Sequence, residues 1–250
     1  MNPARKLAMT STIALLLALA GCTSADPDAV ADPTQVADEP NTSPTDTPRS
    51  DVPTDLQGYV GKLEPGTYSL APWGQTDADP LPRVVVEVPD GYWSNGGFVI
   101  DAGQDAFEPE EFGVVQVFDA DQVLTDPCRR RTATEVGPTV DDLARALVAA
   151  QGPSTQPRPS TLDGRDATYL EVTVPADTDI DACSDGTYSL WLANGDAHHH
   201  SDPGVVHHVW ILEVDGTRLV AVASLYPDQD PDQNRQLIAM AESIQFTSAT

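Results

Sequence analysis

Two Asp-Gly dipeptides, each set between runs of β-branched and apolar residues, constrain this chain more than any other feature. Leu162-Asp163-Gly164-Arg165 and Val214-Asp215-Gly216-Thr217 put Asp and Gly at the two central positions of a tight hairpin. Both positions of such a turn need φ > 0, which Asp tolerates and Gly adopts freely. The flanks read as strands over Arg165–Val174, Val205–Val214 and Thr217–Leu225. Similar runs predict strands near Thr67–Pro72, Arg83–Val88, Gly97–Ile100, Gly113–Phe118 and Thr187–Leu192. Hairpins join antiparallel neighbours, so an antiparallel sheet is expected.

Two helices interrupt this pattern. Val140, Leu143, Ala144, Leu147 and Val148 recur on one helical face. Thr139 is placed to cap that helix, Asp141 and Asp142 occupy its first turn, and Gly152-Pro153 stops it. The second stripe is Leu237, Met240, Ala241 and Ile244, entered through Asp230 as cap, Pro231 at the first position and Gln233 three residues past the cap. A last strand, Gln245–Thr247, follows. Strands, one helix, a meander and a closing helix predict an α+β domain with both helices packed on one antiparallel sheet.

Charge removes whole classes of function. The 250 residues carry 13 basic and 39 acidic side chains, a net of -26. A nucleic-acid binder needs Lys and Arg facing phosphate, and so many carboxylates repel it; no nucleic-acid partner is expected. The one basic run, Arg129-Arg130-Arg131, is compatible with an acidic partner and equally with plain solvation. No Gly-x-Ser-x-Gly, His-Glu-x-x-His, phosphate-cradling glycine loop or dinucleotide fingerprint occurs, so neither an enzyme nor a cofactor is expected. A spatial triad from His207 or His208 with Asp215 and a serine stays open.

The amino terminus has its own logic. Arg5 and Lys6 precede the apolar stretch 13–19, which is too short for an ordinary membrane span and reads as a secretory signal over residues 1–21. Leu19-Ala20-Gly21-Cys22 follows and resembles the lipobox of bacterial lipoproteins. That resemblance implies cleavage before Cys22 and acylation of its thiol, palmitate included, with two or more chains giving durable anchoring. An ordinary secreted protein with a chance cysteine is the plainer alternative. Residues 22–57 are rich in Asp, Pro, Ser and Thr without an aromatic side chain, so they predict a disordered acidic tether. The folded domain is then expected over 58–250. With Cys22 lipidated, Cys128 and Cys183 remain; in an oxidising compartment they predict a disulfide, since neither has the C-x-x-C neighbour of a redox or metal thiol pair.

Further punctuation carries a second resemblance. Val84-Val85-Val86-Glu87-Val88-Pro89-Asp90-Gly91-Tyr92-Trp93 is similar to the opening of PsbP-like domains. The ending is similar too, with strand 219–225, Tyr226-Pro227 and a helix closing in Glu242-Ser243-Ile244-Gln245-Phe246. Together they resemble actinobacterial envelope lipoproteins of the LpqN type. The resemblance implies a PsbP-like domain held at the outer, extracytoplasmic face of the cell membrane through its lipid anchor. It implies non-catalytic binding of a protein or envelope component.

Two candidate sites follow from the residues. All five histidines lie in one window, His198, His199, His200, His207 and His208, and imidazoles bind Zn²⁺ or Cu²⁺. A metal-handling lipoprotein using loop 196–208 is therefore the alternative function, against a solvated loop with strand histidines; His207 and His208, being adjacent on a strand, are expected on opposite faces. Asp177-x-Asp179-x-Asp181 and Asp228-x-Asp230-x-Asp232 lack the glycine and closing glutamate of a calcium loop. Tyr92-Trp93, beside Asn95-Gly96-Gly97, is the expected exposed recognition patch.

Overall fold

The computed structural model describes residues 52–75, 81–103, 112–129, 132–150, 154–193, 195–197 and 202–248. Cys22, the expected leader 1–21, most of the expected tether 22–57, and His198, His199 and His200 lie outside them. All the described residues belong to one compact unit, Pro48–Thr250.

Its centre is an eight-stranded sheet. The two Asp-Gly turns build half of it: β10 (Arg158–Leu162) pairs with β11 (Arg165–Thr173), and β14 (Val206–Val214) with β15 (Thr217–Leu225). Asp163 and Asp215 both sit at φ 52°, followed by Gly164 and Gly216 at φ 65° and 86°, as these turns require. β14 also pairs with β11, and β15 pairs with β7 (Val114–Phe118). Beyond β7 lie β6 (Val99–Asp101), β5 (Trp93–Asn95) and β2 (Gly61–Lys62), giving the order β10-β11-β14-β15-β7-β6-β5-β2.

This sheet is buried on both faces, because its central strands carry apolar residues at successive positions rather than in alternation. On one side Tyr169, Trp210, Leu212, Leu219, Ala221, Val115 and Val117 join Val84, Val86, Tyr68, Leu70 and Phe246 in one core. Those partners belong to a four-stranded sheet in the order β1 (Thr54–Asp55), β3 (Gly66–Leu70), β4 (Arg83–Val88) and β16 (Gln245–Thr247). On the other side Leu170, Val209, Ile211, Val220, Val222 and Phe118 meet Val123, Trp191 and Ala193. These come from a third sheet in the order β13 (Asp196–Ala197), β12 (Trp191–Ala193), β8 (Gln122–Leu124) and β9 (Ala133–Glu135). Helix α1 (Val140–Ala149) adds Leu143, Ala144 and Leu147 to the second core, and α2 (Pro231–Glu242) adds Leu237, Met240 and Ala241 to the first.

The α+β expectation, a PsbP-like antiparallel sheet with two helices packed on it, is thereby overturned. The unit is mostly β, in three sheets, and its helices are only 10 and 12 residues long. Most of the covering strands are only two or three residues long, too short to display a period-two pattern, and Pro159 masks β10. The folded unit also begins before residue 58. Thr54 and Asp55 pair in parallel with Tyr68 and Ser69, and the Leu56 side chain is 2% exposed in the first core.

The helix caps differ from one another. Thr139 Oγ1 accepts from Asp142 N–H while the Asp142 carboxylate accepts from Thr139 N–H, a reciprocal box that holds the Asp142 carboxyl below its ordinary pKa. At α2, Asp230 accepts from Asp232 N–H; Gln233 gives no box and instead donates to the Ala102 carbonyl, 3.2 Å away. Arg218, nearly buried, donates to the carbonyls of Gly137 and Ala120, which ties β15 to the entry of α1 and to the β7–β8 connection. Cys128 and Cys183 form a disulfide with Cα atoms 4.4 Å apart, 55 residues apart in sequence.

Candidate functional site

The proximity of two sheet edges creates a concave feature at the rim of the described residues. The β10–β11 turn approaches β16, and Asp163 Oδ2 accepts the backbone N–H of Phe246 at 3.0 Å. A groove of about 600 Å³ runs beside this contact, lined by Thr67, Glu87, Thr161, Asp163, Glu242 and Gln245 among others. Its lining is polar, with three carboxylates, and Arg165 Nε stands 3.6 Å from Asp163 Oδ2. Groove walls of this kind suit hydrogen bonding to a polar ligand or to an extended segment of chain.

Next to it, on the same face of the large sheet, lies a set of polar and aromatic side chains drawn from β10, β11 and β14. Cross-strand pairing places Tyr169 opposite Trp210 and Glu171 opposite His208. Tyr169 Oη lies 2.8 Å from Glu171 Oε1 and 2.6 Å from His208 Nδ1. The Trp210 ring meets Tyr169 edge-on at 5.1 Å, and the Arg158 guanidinium sits 4.1 Å above the tyrosine ring. Burial raises the Tyr169 pKa, and hydrogen bonding to Glu171 raises it further. Burial lowers that of His208, against the opposing pull of Glu171 and Glu242. Sequence reading singled out His208 for metal and passed over Tyr169 and Glu171; a Tyr-x-Glu alternation on a strand facing a His-x-Trp alternation was the available signal.

The two described histidines do not converge. His207 and His208 point to opposite faces of the sheet, the first wholly buried with Nδ1 2.9 Å from Ser224 Oγ and its ring 5.6 Å from Trp191. His198, His199 and His200 lie outside the described residues, and among those described no three His, Cys, Asp or Glu side chains group to hold a metal ion. Nor do the described residues form a triad: the His207–Ser224 pair is sealed in the core, while Asp215, at a hairpin tip, accepts from Ser248 Oγ at 3.3 Å.

Tyr92 needs a correction as a recognition residue. It is 1% exposed in the first core, its hydroxyl is 3.2 Å from Gln236 Oε1, and burial pushes its pKa up to about 12. Alternation along β5 sends Tyr92 and Ser94 inward, and Trp93 is half-buried on the other face. The aspartates at 177, 179 and 181 surround a short turn, Ile180–Ala182, whose end is tied by Cys183 N–H to the Ile180 carbonyl. No protein-family model matches this chain, and no curated protein sequence matches it.

Proposed function

We propose that this protein is a cell-envelope lipoprotein, anchored by lipid at Cys22 on the outer face of the membrane, whose β-rich domain binds a protein or envelope component without catalysis. The observation that carries the anchor is the sequence Leu19-Ala20-Gly21-Cys22 directly after a short apolar stretch with Arg5 and Lys6 ahead of it. A disulfide between Cys128 and Cys183 supports an oxidising location. The binding reading is supported by the polar groove between the sheet edges. It is also supported by the burial of the His207–Ser224 pair, which no substrate reaches in this arrangement.

The test is the fate of the amino terminus in a bacterial host. Mass spectrometry of the full-length chain after expression should find Cys22 as the first residue, carrying a diacylglyceryl group, and the protein in the membrane fraction. Cys22→Ser should release it to the soluble fraction. A mature chain that begins elsewhere, or a Cys22→Ser variant still on the membrane, refutes the anchor. Photo-crosslinkers at Thr161 and Gln245 on the groove rim should give one discrete adduct in intact cells; adducts only from crosslinkers on β9 would move the binding surface to another sheet.

A further inference from the structure

With Glu171 as a carboxylate, the three-atom contact around Tyr169 has one arrangement of protons that satisfies it. A phenol has one proton to give, and a carboxylate only accepts. If Tyr169 donated to His208 Nδ1, its oxygen would face Glu171 Oε1 across 2.8 Å with no hydrogen between them. The consistent order is His208 Nδ1–H to Tyr169 Oη, and Tyr169 O–H to Glu171. Raising the tyrosine pKa, as burial and Glu171 do, keeps that proton on the phenol.

We propose that His208 is a proton-sensing site in which Tyr169 and Glu171 hold the Nδ1 proton, so that Nε2 alone gains or loses a proton. Uptake at Nε2 leaves both hydrogen bonds intact, because Nδ1–H still donates to Tyr169 and Tyr169 still donates to Glu171. What changes is charge: a cation appears between Glu171 on β11 and Glu242 on the last turn of α2. The charged and titratable groups facing His208 are Glu171 and Tyr169 from β11 and Glu242 from α2, with Arg158 of β10 acting through the Tyr169 ring. Its cross-strand neighbour on β15 is Ala223, which contributes none. Burial and the two carboxylates act in opposite directions on this proton. Because Glu242 also lines the groove, each proton taken up lowers the net negative charge at that rim. Nothing in this inference depends on lipidation or on the identity of a ligand.

Ring ¹⁵N NMR of the full-length, ¹⁵N-histidine-labelled chain tests it, with His208 assigned by the signal lost in His208→Gln. The native protein should show the Nδ1–H tautomer at high pH, protonate at Nε2 as pH falls, and titrate with a midpoint below 6.5. Tyr169→Phe should shift the population toward the Nε2–H tautomer, the usual form for a free imidazole. Glu242→Gln, an exposed change, should lower the midpoint further. A native Nε2–H tautomer, or one that Tyr169→Phe leaves unmoved, overturns the proposal, as does a midpoint that Glu242→Gln does not lower.

Discussion

Replacing Asp163 separates two tasks that one side chain performs. Its backbone holds φ 52° in the β10–β11 turn, and its carboxylate accepts the Phe246 N–H at 3.0 Å, closing the outer edge of β16. Asp215 holds the same φ in the β14–β15 turn, yet its carboxylate accepts from the Ser248 hydroxyl at 3.3 Å on the surface rather than from a backbone amide of another sheet. Substituting Ala for either residue puts a non-glycine without a stabilising side chain in the left-handed region, at about 1 kcal/mol. At Asp163 the change also strands the amide of a buried phenylalanine, adding about 1–3 kcal/mol. Asp163→Ala should therefore lose about 2–4 kcal/mol, and Asp215→Ala about 1 kcal/mol.

Glycine isolates the second task, because it relieves the backbone and removes the carboxylate. Asp163→Gly should still lose about 1–3 kcal/mol, whereas Asp215→Gly should fall within about 0.5 kcal/mol of the parent. Asp163→Asn keeps both the αL tolerance and an accepting oxygen, and should lose about 1 kcal/mol or less. Urea unfolding followed by tryptophan fluorescence measures all of these, since Trp191 and Trp210 lie in the two separate cores. If Asp163→Gly and Asp215→Gly prove equally stable, the inter-sheet hydrogen bond contributes nothing and the reasoning fails.

Other perturbations test other layers of the structure. Reducing the Cys128–Cys183 bond frees a loop of 55 residues. In the chain-entropy treatment this should lower stability by about 4 kcal/mol; a urea midpoint that dithiothreitol moves by less than the equivalent of about 1 kcal/mol would contradict it. A Cβ at Gly97, at φ 80°, would lie 1.9 Å from the Leu56 carbonyl oxygen, while one at Gly216, at φ 86°, meets nothing within 4 Å. Gly216→Ala should cost about 1 kcal/mol and Gly97→Ala at least about 3, read from paired thermal melts, with equal losses counting against the close approach. Burial lowers the His208 pKa in the folded state below its ordinary 6.5, so the unfolded chain takes up this proton first as pH falls. Its contribution is complete above pH 6.5 and declines from there down to the folded-state pKa. Stability of the parent minus that of His208→Gln, measured from pH 8 to 5, should therefore fall below about pH 6.5, and a rising difference would reverse the sign.

What the sequence disclosed followed the length and regularity of each element. β4 spans Arg83–Val88 and β15 spans Thr217–Leu225, as their runs predict, and both helices lie where their apolar stripes place them. Several short strands were invisible, because two or three residues such as Ala133–Glu135 carry no period, whereas Gln245–Thr247 was legible from its place after the closing helix. The pentapeptide Gly-Thr-Tyr-Ser-Leu shows the limit of local reading most directly. At 66–70 it is strand β3, antiparallel to β4; at 186–190 the same residues leave a 3₁₀ turn through Gly186 at φ 63°, and Ser189 N–H donates to the Pro127 carbonyl beside the disulfide. Tertiary surroundings, not propensity, decide between the two. The site behaves likewise: Tyr169, Glu171 and His208 meet because β11 and β14 are in one particular register, which the Tyr-x-Glu and His-x-Trp alternations do not fix by themselves.

The same register explains why the groove can remain open without becoming a pairing surface for further strands. In the β10–β11 hairpin Leu162 and Arg165 close the turn, and bonding then alternates, so Pro159, opposite Thr168, turns its nitrogen away from β11. A proline there offers no N–H to an incoming strand, which blunts the exposed edge of the large sheet. Across the groove, the amide of Phe246 on the β16 edge is already taken by Asp163. Each edge has thus lost a donor that a strand-pairing partner would need. Recognition at this groove therefore has to run through side chains such as Glu87, Thr161, Glu242 and Gln245 more than through the backbone. Such a contact is sensitive to charge, and among the described residues His208, which faces the groove residue Glu242, is a group whose charge changes as pH falls below its ordinary range.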